Sequence, residues 1–99
     1  MFQKKNQKLK KVDPNRSLTI DLHNYLASEA AEYVSRVIRN SRDSFGVIYF
    51  ITGKGTHSKD HISILRPLVL KLCKQAGAET GLVSGNNGIV YCRFVPLMF

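Results

Sequence analysis

Apolar and polar side chains alternate through Leu18-Thr19-Ile20-Asp21-Leu22, which predicts a short strand. From Leu26 the period lengthens. Leu26, Ala30, Val34, Val37 and Ile38 recur at helical spacing, with Glu29, Glu32, Arg36 and Arg39 off that stripe. The acids precede the arginines, an order that suits the helix dipole. After a polar stretch at 40–44, the run Gly46-Val47-Ile48-Tyr49-Phe50-Ile51 is nearly continuous and β-branched, and predicts a central strand buried on both faces. A glycine-rich loop at 52–58 leads into a second helix over about 61–76, stopped by Gly77. Pro67 has two readings: either the helix starts late, with Pro67 in its first turn, or an early turn is broken there. A weak strand at 80–84 and a strong one at 89–94 flank Gly85-Asn86-Asn87-Gly88, a hairpin signal. The resulting order is β-α-β-α-β-β, an α/β two-layer sandwich whose mixed four-stranded sheet carries two helices. The first two strands should run parallel through a right-handed crossover and the last two antiparallel.

Length and composition narrow this picture. With 99 residues, 43% of them apolar, the chain supplies one hydrophobic core. Residues 1–16 lack periodicity and carry the turn signal Asp13-Pro14-Asn15, so they read as a disordered tail, followed by a domain at 17–95 and an apolar tail at 96–99. No apolar run approaches the ~20 residues of a membrane span, and the Lys-rich start does not resemble a secretory signal, so a cytoplasmic setting without membrane contact is expected. Cys73 and Cys92 fall in a helix and a strand, where they read as small buried hydrophobes rather than a disulfide framework. The formal charge is +8, and Lys4, Lys5, Lys8, Lys10, Lys11 and Arg16 against Asp13 place +5 of it in the tail. A cationic arm on a basic body suits counterion release on nucleic acid, although such a run can also serve solubility alone or touch acidic partners.

Two clusters carry candidate chemistry. Asp21 and His23 stand two apart at the end of the first strand and project to the same side in extended backbone. A carboxylate beside an imidazole can fix its tautomer and raise its basicity. The loop Gly53-Lys54-Gly55-Thr56-His57-Ser58 leaves the C-terminal end of the second strand, where open α/β sheets gather ligands, and its glycines let backbone N–H groups and Lys54 approach a phosphate. The two clusters should therefore converge, and the chemistry they suggest is phosphodiester cleavage. Read singly they are less specific: Asp-x-His also describes a capping carboxylate and a surface histidine, and Gly-Lys-Gly a tight turn. The loop is neither a Rossmann nor a Walker fingerprint. His57 and His61 have H-x-x-x-H spacing, with Asp60 nearby, but that spacing converges only on a helix and here begins in a loop, so no metal or other cofactor is expected. His57 reads instead as a phosphate or base contact. Tyr25 and Tyr49 suit core packing, and Tyr25 could also stack a base.

Taken in order, these motifs resemble the Smr (small MutS-related) domain family. Leu18-Thr19-Ile20-Asp21-Leu22-His23 is similar to its Leu-Asp-Leu-His strand end, and Ile51 to Ser58 to its His-Gly-x-Gly signature. Leu65-Arg66-Pro67 and Gly88-Ile89-Val90-Tyr91 match the lead-in to its second helix and its last strand, so the resemblance covers about residues 17–95. Thr52 stands where many bacterial members have histidine. Threonine followed by Gly-basic-Gly-x-His-Ser resembles eukaryotic members linked to RNA and ribosome quality control. Asn24 replaces a glycine, and asparagine tolerates the left-handed backbone such a turn could need.

The resemblance implies a structure-directed endonuclease, cutting RNA in some members and nicking DNA in others, with no obligatory metal in the RNA reaction. It assigns Asp21 and His23 to the strand-end pair, Lys54 to the glycine loop and Arg66 to the basic position before the second helix. His23 would act as general base toward a ribose 2′-OH, Asp21 would orient it, and Lys54, Arg66 and the amides of Gly53 and Gly55 would stabilise the transition state, with Thr56, His57 and the tail lysines as further contacts. The partner implied is RNA, with DNA possible and the ribosome as a setting, for a monomeric chain. Two other functions compete: a non-cleaving RNA- or ribosome-binding adaptor, and a protein-interaction domain docking through Val95-Pro96-Leu97-Met98-Phe99.

Overall fold

Strand β1 (Asp13–Asp21) pairs in parallel with β2 (Phe45–Ile51), and the alternation of Leu18 and Ile20 with Thr19 and Asp21 gives it one face toward the core. The computed structural model of the chain describes residues 13–53 and 59–94. Lys4, Lys5, Lys8, Lys10, Lys11, Lys54, Gly55, Thr56 and His57 lie outside the described residues, as does the apolar segment at 95–99. β1 begins earlier than the alternating segment alone predicts. The turn signal at Pro14-Asn15 takes the form of a register shift, four residues of β1 advancing opposite two of β2 between the pairs Asp13↔Phe45 and Ser17↔Val47. Proline has no N–H for the ladder, so pairing is interrupted there.

Helix α1 spans Ala27–Ser41 and buries Ala30, Val34, Val37 and Ile38, with Glu29 in its first turn and Arg39 in its last. Leu26 is not on this stripe. It is the N-cap, 65% exposed, and its backbone N–H donates to Glu29 Oε1 at 3.0 Å, half of a capping box whose other half needs an oxygen that leucine lacks. Helix α2 (Lys59–Gln75) runs straight through Pro67, so neither a late start nor a broken first turn describes it. Leu65 and Val69, both fully buried on either side of the proline, hold the helix to the core while one backbone hydrogen bond is forgone. Gly77, at φ +86°, ends the helix in a Schellman arrangement, with the N–H of Ala78 donating to Cys73 O and that of Gly77 to Lys74 O.

Strands β3 (Glu79–Val83) and β4 (Asn86–Arg93) form the expected antiparallel hairpin, and β4 also pairs antiparallel with β2, giving the order β1-β2-β4-β3. Right-handed crossovers from β1 to β2 and from β2 to β3 advance the same way across that order, so both helices fall on one face and α1 packs against α2. This explains why β2 is not buried on both faces. Ile48 and Phe50 are fully buried beneath the helices, whereas Val47, Tyr49 and Ile51 stay half-exposed on the uncovered face. On that face Tyr91 lies across Gly81, where an added Cβ would sit 3.1 Å from its ring. Cys73 and Cys92 are free and fully buried, as small core residues.

Because the N-cap of α1 has no side-chain acceptor, Leu26→Ser should complete the capping box and stabilise the domain by about 1 kcal/mol. Chemical denaturation would show this as a higher midpoint at unchanged slope; an unchanged midpoint would mean the exposed leucine contributes as much as the missing cap.

Candidate active site

The parallel pairing continues past the end of β1, the Leu22 N–H donating to Ile51 O at 2.8 Å, so the ends of β1 and β2 stay side by side. Leu22 is fully buried and anchors this end. The chain then turns at once, closed by a 2.9 Å bond from the Tyr25 N–H to Leu22 O. The turn needs no left-handed residue: among the described residues positive φ occurs only at Gly53, Gly77 and Gly85, so Asn24 is accommodated as an ordinary turn residue.

Asp21 and His23 straddle the buried leucine and meet in solvent. One oxygen, Asp21 Oδ1, accepts both the His23 backbone N–H at 3.1 Å and the ring at Nδ1, 2.6 Å away. Because an ionised carboxylate can only accept, Nδ1 carries the proton, and in the neutral ring Nε2 is the free basic nitrogen. Both side chains are about half exposed. The His23 ring bond, then its backbone N–H, hold the Asp21 carboxyl below its ordinary value of 3.8, against a small opposing cost of burial. The interaction is therefore complete above that ordinary value and is lost only as pH falls through the lowered one. Solvent screening keeps its contribution to stability small.

Gly53 joins the pair from the second strand. Thr52, the one buried polar side chain among the described residues, donates its hydroxyl to Gly88 O at 3.2 Å, and the N–H groups of Thr52 and Gly53 converge on the same carbonyl at 2.8 and 3.2 Å. This clamp ties the end of β2 to the start of β4. It fixes where the glycine loop departs, with Gly53 at φ +96°. Thr52 is thus a positioning residue that pattern reading did not identify; the available signal was a lone hydroxyl at the end of an apolar run, which must find a partner once buried. Arg66 lies half-buried on α2, its Nε shielded from solvent and without a hydrogen-bond partner among the described residues. A buried guanidinium nitrogen in that condition calls for an acceptor such as an anion. The structure does not bring Arg66 into hydrogen bonding with Asp21 or His23. Tyr49 is on the uncovered sheet face, and Tyr25 stacks on Tyr33, ring centroids 5.4 Å apart and 15° from parallel, a pairing the helical pattern did not reveal.

The described residues hold no group of three or more His, Cys, Asp or Glu side chains able to bind a metal, and no described helix is long and apolar enough to cross a membrane. The zinc alternative through His57 involves a residue outside the described ones.

The geometry predicts a direct effect on titration. In His23→Ala the Asp21 carboxyl midpoint should rise toward 3.8, though not fully, since the backbone N–H of residue 23 remains. Carboxyl carbon shifts followed by NMR would report it, and an unmoved midpoint would show that the ring bond is absent in solution.

Comparison with known proteins agrees with this architecture. Residues 20–91 match the family model of the Smr domain. A Smr domain-containing protein of Schizosaccharomyces pombe is 35% identical over 73 residues, covering 73% of this chain and 35% of that protein. Endonuclease NBR9 of Saccharomyces cerevisiae is 32% identical over 72 residues, covering 72% of this chain and 30% of its own length. The chain thus spans about a third of the length of these relatives. Among solved structures, the SMR domain of NEDD4-binding protein 2 superposes with a TM-score of 0.58 at 22% identity, covering 81% of this chain and 90% of that one, a likeness of fold. A match across the strand-end pair, both helices and the hairpin, on the expected mixed sheet, makes this chain a member of the Smr domain family.

Proposed function

We propose that this domain binds nucleic acid and cleaves RNA by attack of a ribose 2′-OH on its own phosphodiester. The observation that carries this reading is the 2.6 Å contact between Asp21 Oδ1 and His23 Nδ1, which leaves Nε2 exposed as a base at the C-terminal edge of the sheet. His23 Nε2 takes the 2′-proton, the 2′-oxygen bonds to phosphorus, the bond from phosphorus to the 5′-oxygen breaks, and that oxygen is protonated from water. Asp21 stabilises the imidazolium that forms. Arg66, with its unmatched Nε, and, by their place in the sequence, Lys54 and the Gly55 amide stabilise the charge gathering on the phosphoryl oxygens, whereas the Gly53 N–H is held by Gly88 O and takes no part. The name of Endonuclease NBR9 supports a nuclease reading, and the net charge of +8 supports phosphate binding, with Lys4, Lys5, Lys8, Lys10 and Lys11 acting as a sequence-independent arm.

RNA is favoured over DNA because this base needs a 2′-OH to act upon. A structured RNA, as met on a ribosome, is the proposed substrate, cut by a single chain. A cleavage assay decides the matter. Replacing the 2′-OH beside the cut with hydrogen should abolish product while leaving most of the affinity. His23→Ala and Asp21→Asn should lower the rate on intact RNA by about 100-fold or more with little change in binding. Equal cutting of the deoxy substrate, or activity lost in chelator and restored by a divalent ion, would replace this mechanism with metal-assisted hydrolysis. Tight binding without product on any structured RNA would establish the adaptor.

A further inference from the structure

Beside the strand-end pair, the chain from the Leu22–Tyr25 turn into α1 surrounds an open hollow of about 510 Å³ lined by Asn24, Tyr25, Glu29, Glu32, Tyr33 and Arg36. The volume is that of a small-ligand site. Asn24 directly follows His23, so the hollow begins one residue from the strand-end pair. Tyr25 and Tyr33 stack, and the Arg36 guanidinium carbon lies over the Tyr33 ring, 5.8 Å from its centroid, so three flat groups are layered beside the hollow. Surfaces of this kind take up unstacked bases, which lie against aromatic rings and arginine planes.

The charge of the lining separates a base from a phosphate. Two carboxylates face one guanidinium in a chain whose net charge is +8, so the hollow is locally acidic on a basic protein. Phosphate is repelled there. The exocyclic amino and ring N–H groups of a base are hydrogen-bond donors that carboxylates accept. Glu29 Oε1 is already engaged by the Leu26 N–H, whereas Glu32 makes no ion pair among the described residues and is exposed. Of the four bases, guanine alone presents two adjacent donors, N1–H and N2–H, on its Watson–Crick edge, a spacing that matches the two oxygens of a carboxylate.

We propose that this hollow is a subsite for an unpaired base, guanine above the others, belonging to one of the two nucleotides that flank the cleaved phosphate. Tyr25, Tyr33 and Arg36 supply stacking, and Glu32 supplies selection. The proposal rests on the reading of the domain as a ribonuclease, and it extends that reading from a backbone reaction to a preference for sequence.

The test uses the full chain and an RNA hairpin whose cut site has been mapped, with each flanking nucleotide replaced in turn by the four bases and by an abasic residue. At one flank guanine should be cut about tenfold faster than the abasic residue. Glu32→Gln should bring guanine down toward the other bases, and the losses from Tyr33→Ala and from the abasic residue should not add, since both remove the same contact. Circular dichroism checks that Tyr33→Ala, which touches the core, is folded; Glu32→Gln is exposed and carries the test if it is not. A second readout does not depend on cutting: 2-aminopurine placed at each loop position should be quenched on binding, and less so in Arg36→Ala and Tyr33→Ala. If no RNA is cut, the proposed function fails while this quenching still decides the subsite. Wild-type protein indifferent to the abasic residue, or quenching identical in wild type and variants, would overturn the proposal.

Discussion

The parallel pairing of β1 with β2 is the constraint on which the rest of the site depends. Because the two strands run in the same direction, their C-terminal ends lie at one edge of the sheet, and the register Asp21↔Ile51, extended by the bond from the Leu22 N–H to Ile51 O, brings the Asp21–His23 pair to the same edge as Thr52 and Gly53, which follow Ile51. Side chains alternate along a strand, so a slip of one residue would turn Asp21 inward and push Leu22 into solvent. Complete burial of Leu22 opposes that slip. The geometry of the Asp21–His23 pair is therefore maintained by a hydrophobic residue between the two polar ones.

The pair itself is organised by local chain geometry and not by burial. A single carboxylate oxygen accepts both the backbone N–H and the ring of His23, which fixes the ring against the strand end even though both side chains are half in water. Exposure leaves the pair open on the surface, and the cost is that solvent weakens every charge interaction there. The Thr52 clamp compensates on the other strand by tying the loop's origin to Gly88. Around this centre the charge is divided, with an excess of cations over the whole chain and an acidic hollow at the start of α1. Such a division suits a ligand with an anionic backbone and neutral, donor-bearing bases.

Much of this was legible in the residues, and the exceptions have physical causes. Alternation placed Asp21 and His23 on one side of a strand end, and the helical stripe gave the buried residues of α1. The periodic rule failed at Leu26 because spacing does not say where a helix begins; an apolar residue at the N-cap continues the pattern while lying outside the helix. It failed again at β2, where an apolar run implies two covered faces, because only the strand order shows that both helices lie on the same side. Pro67 alone implies a late helix start or a broken first turn, yet burial of Leu65 and Val69 outweighs one missing hydrogen bond and the helix continues through it. Thr52 and the stack of Tyr25 on Tyr33 depend on partners distant in sequence or on side-chain direction, which one-dimensional spacing does not encode.

The central claim is that an Asp-oriented histidine at converged strand ends draws the nucleophile from the substrate's own ribose. The chemistry of the product ends tests it most directly. Mass spectrometry of the fragments from a structured RNA should find a 2′,3′-cyclic phosphate on the upstream piece and a 5′-OH on the downstream piece. A 3′-OH paired with a 5′-phosphate would mean that water or hydroxide attacked instead, and would contradict the account.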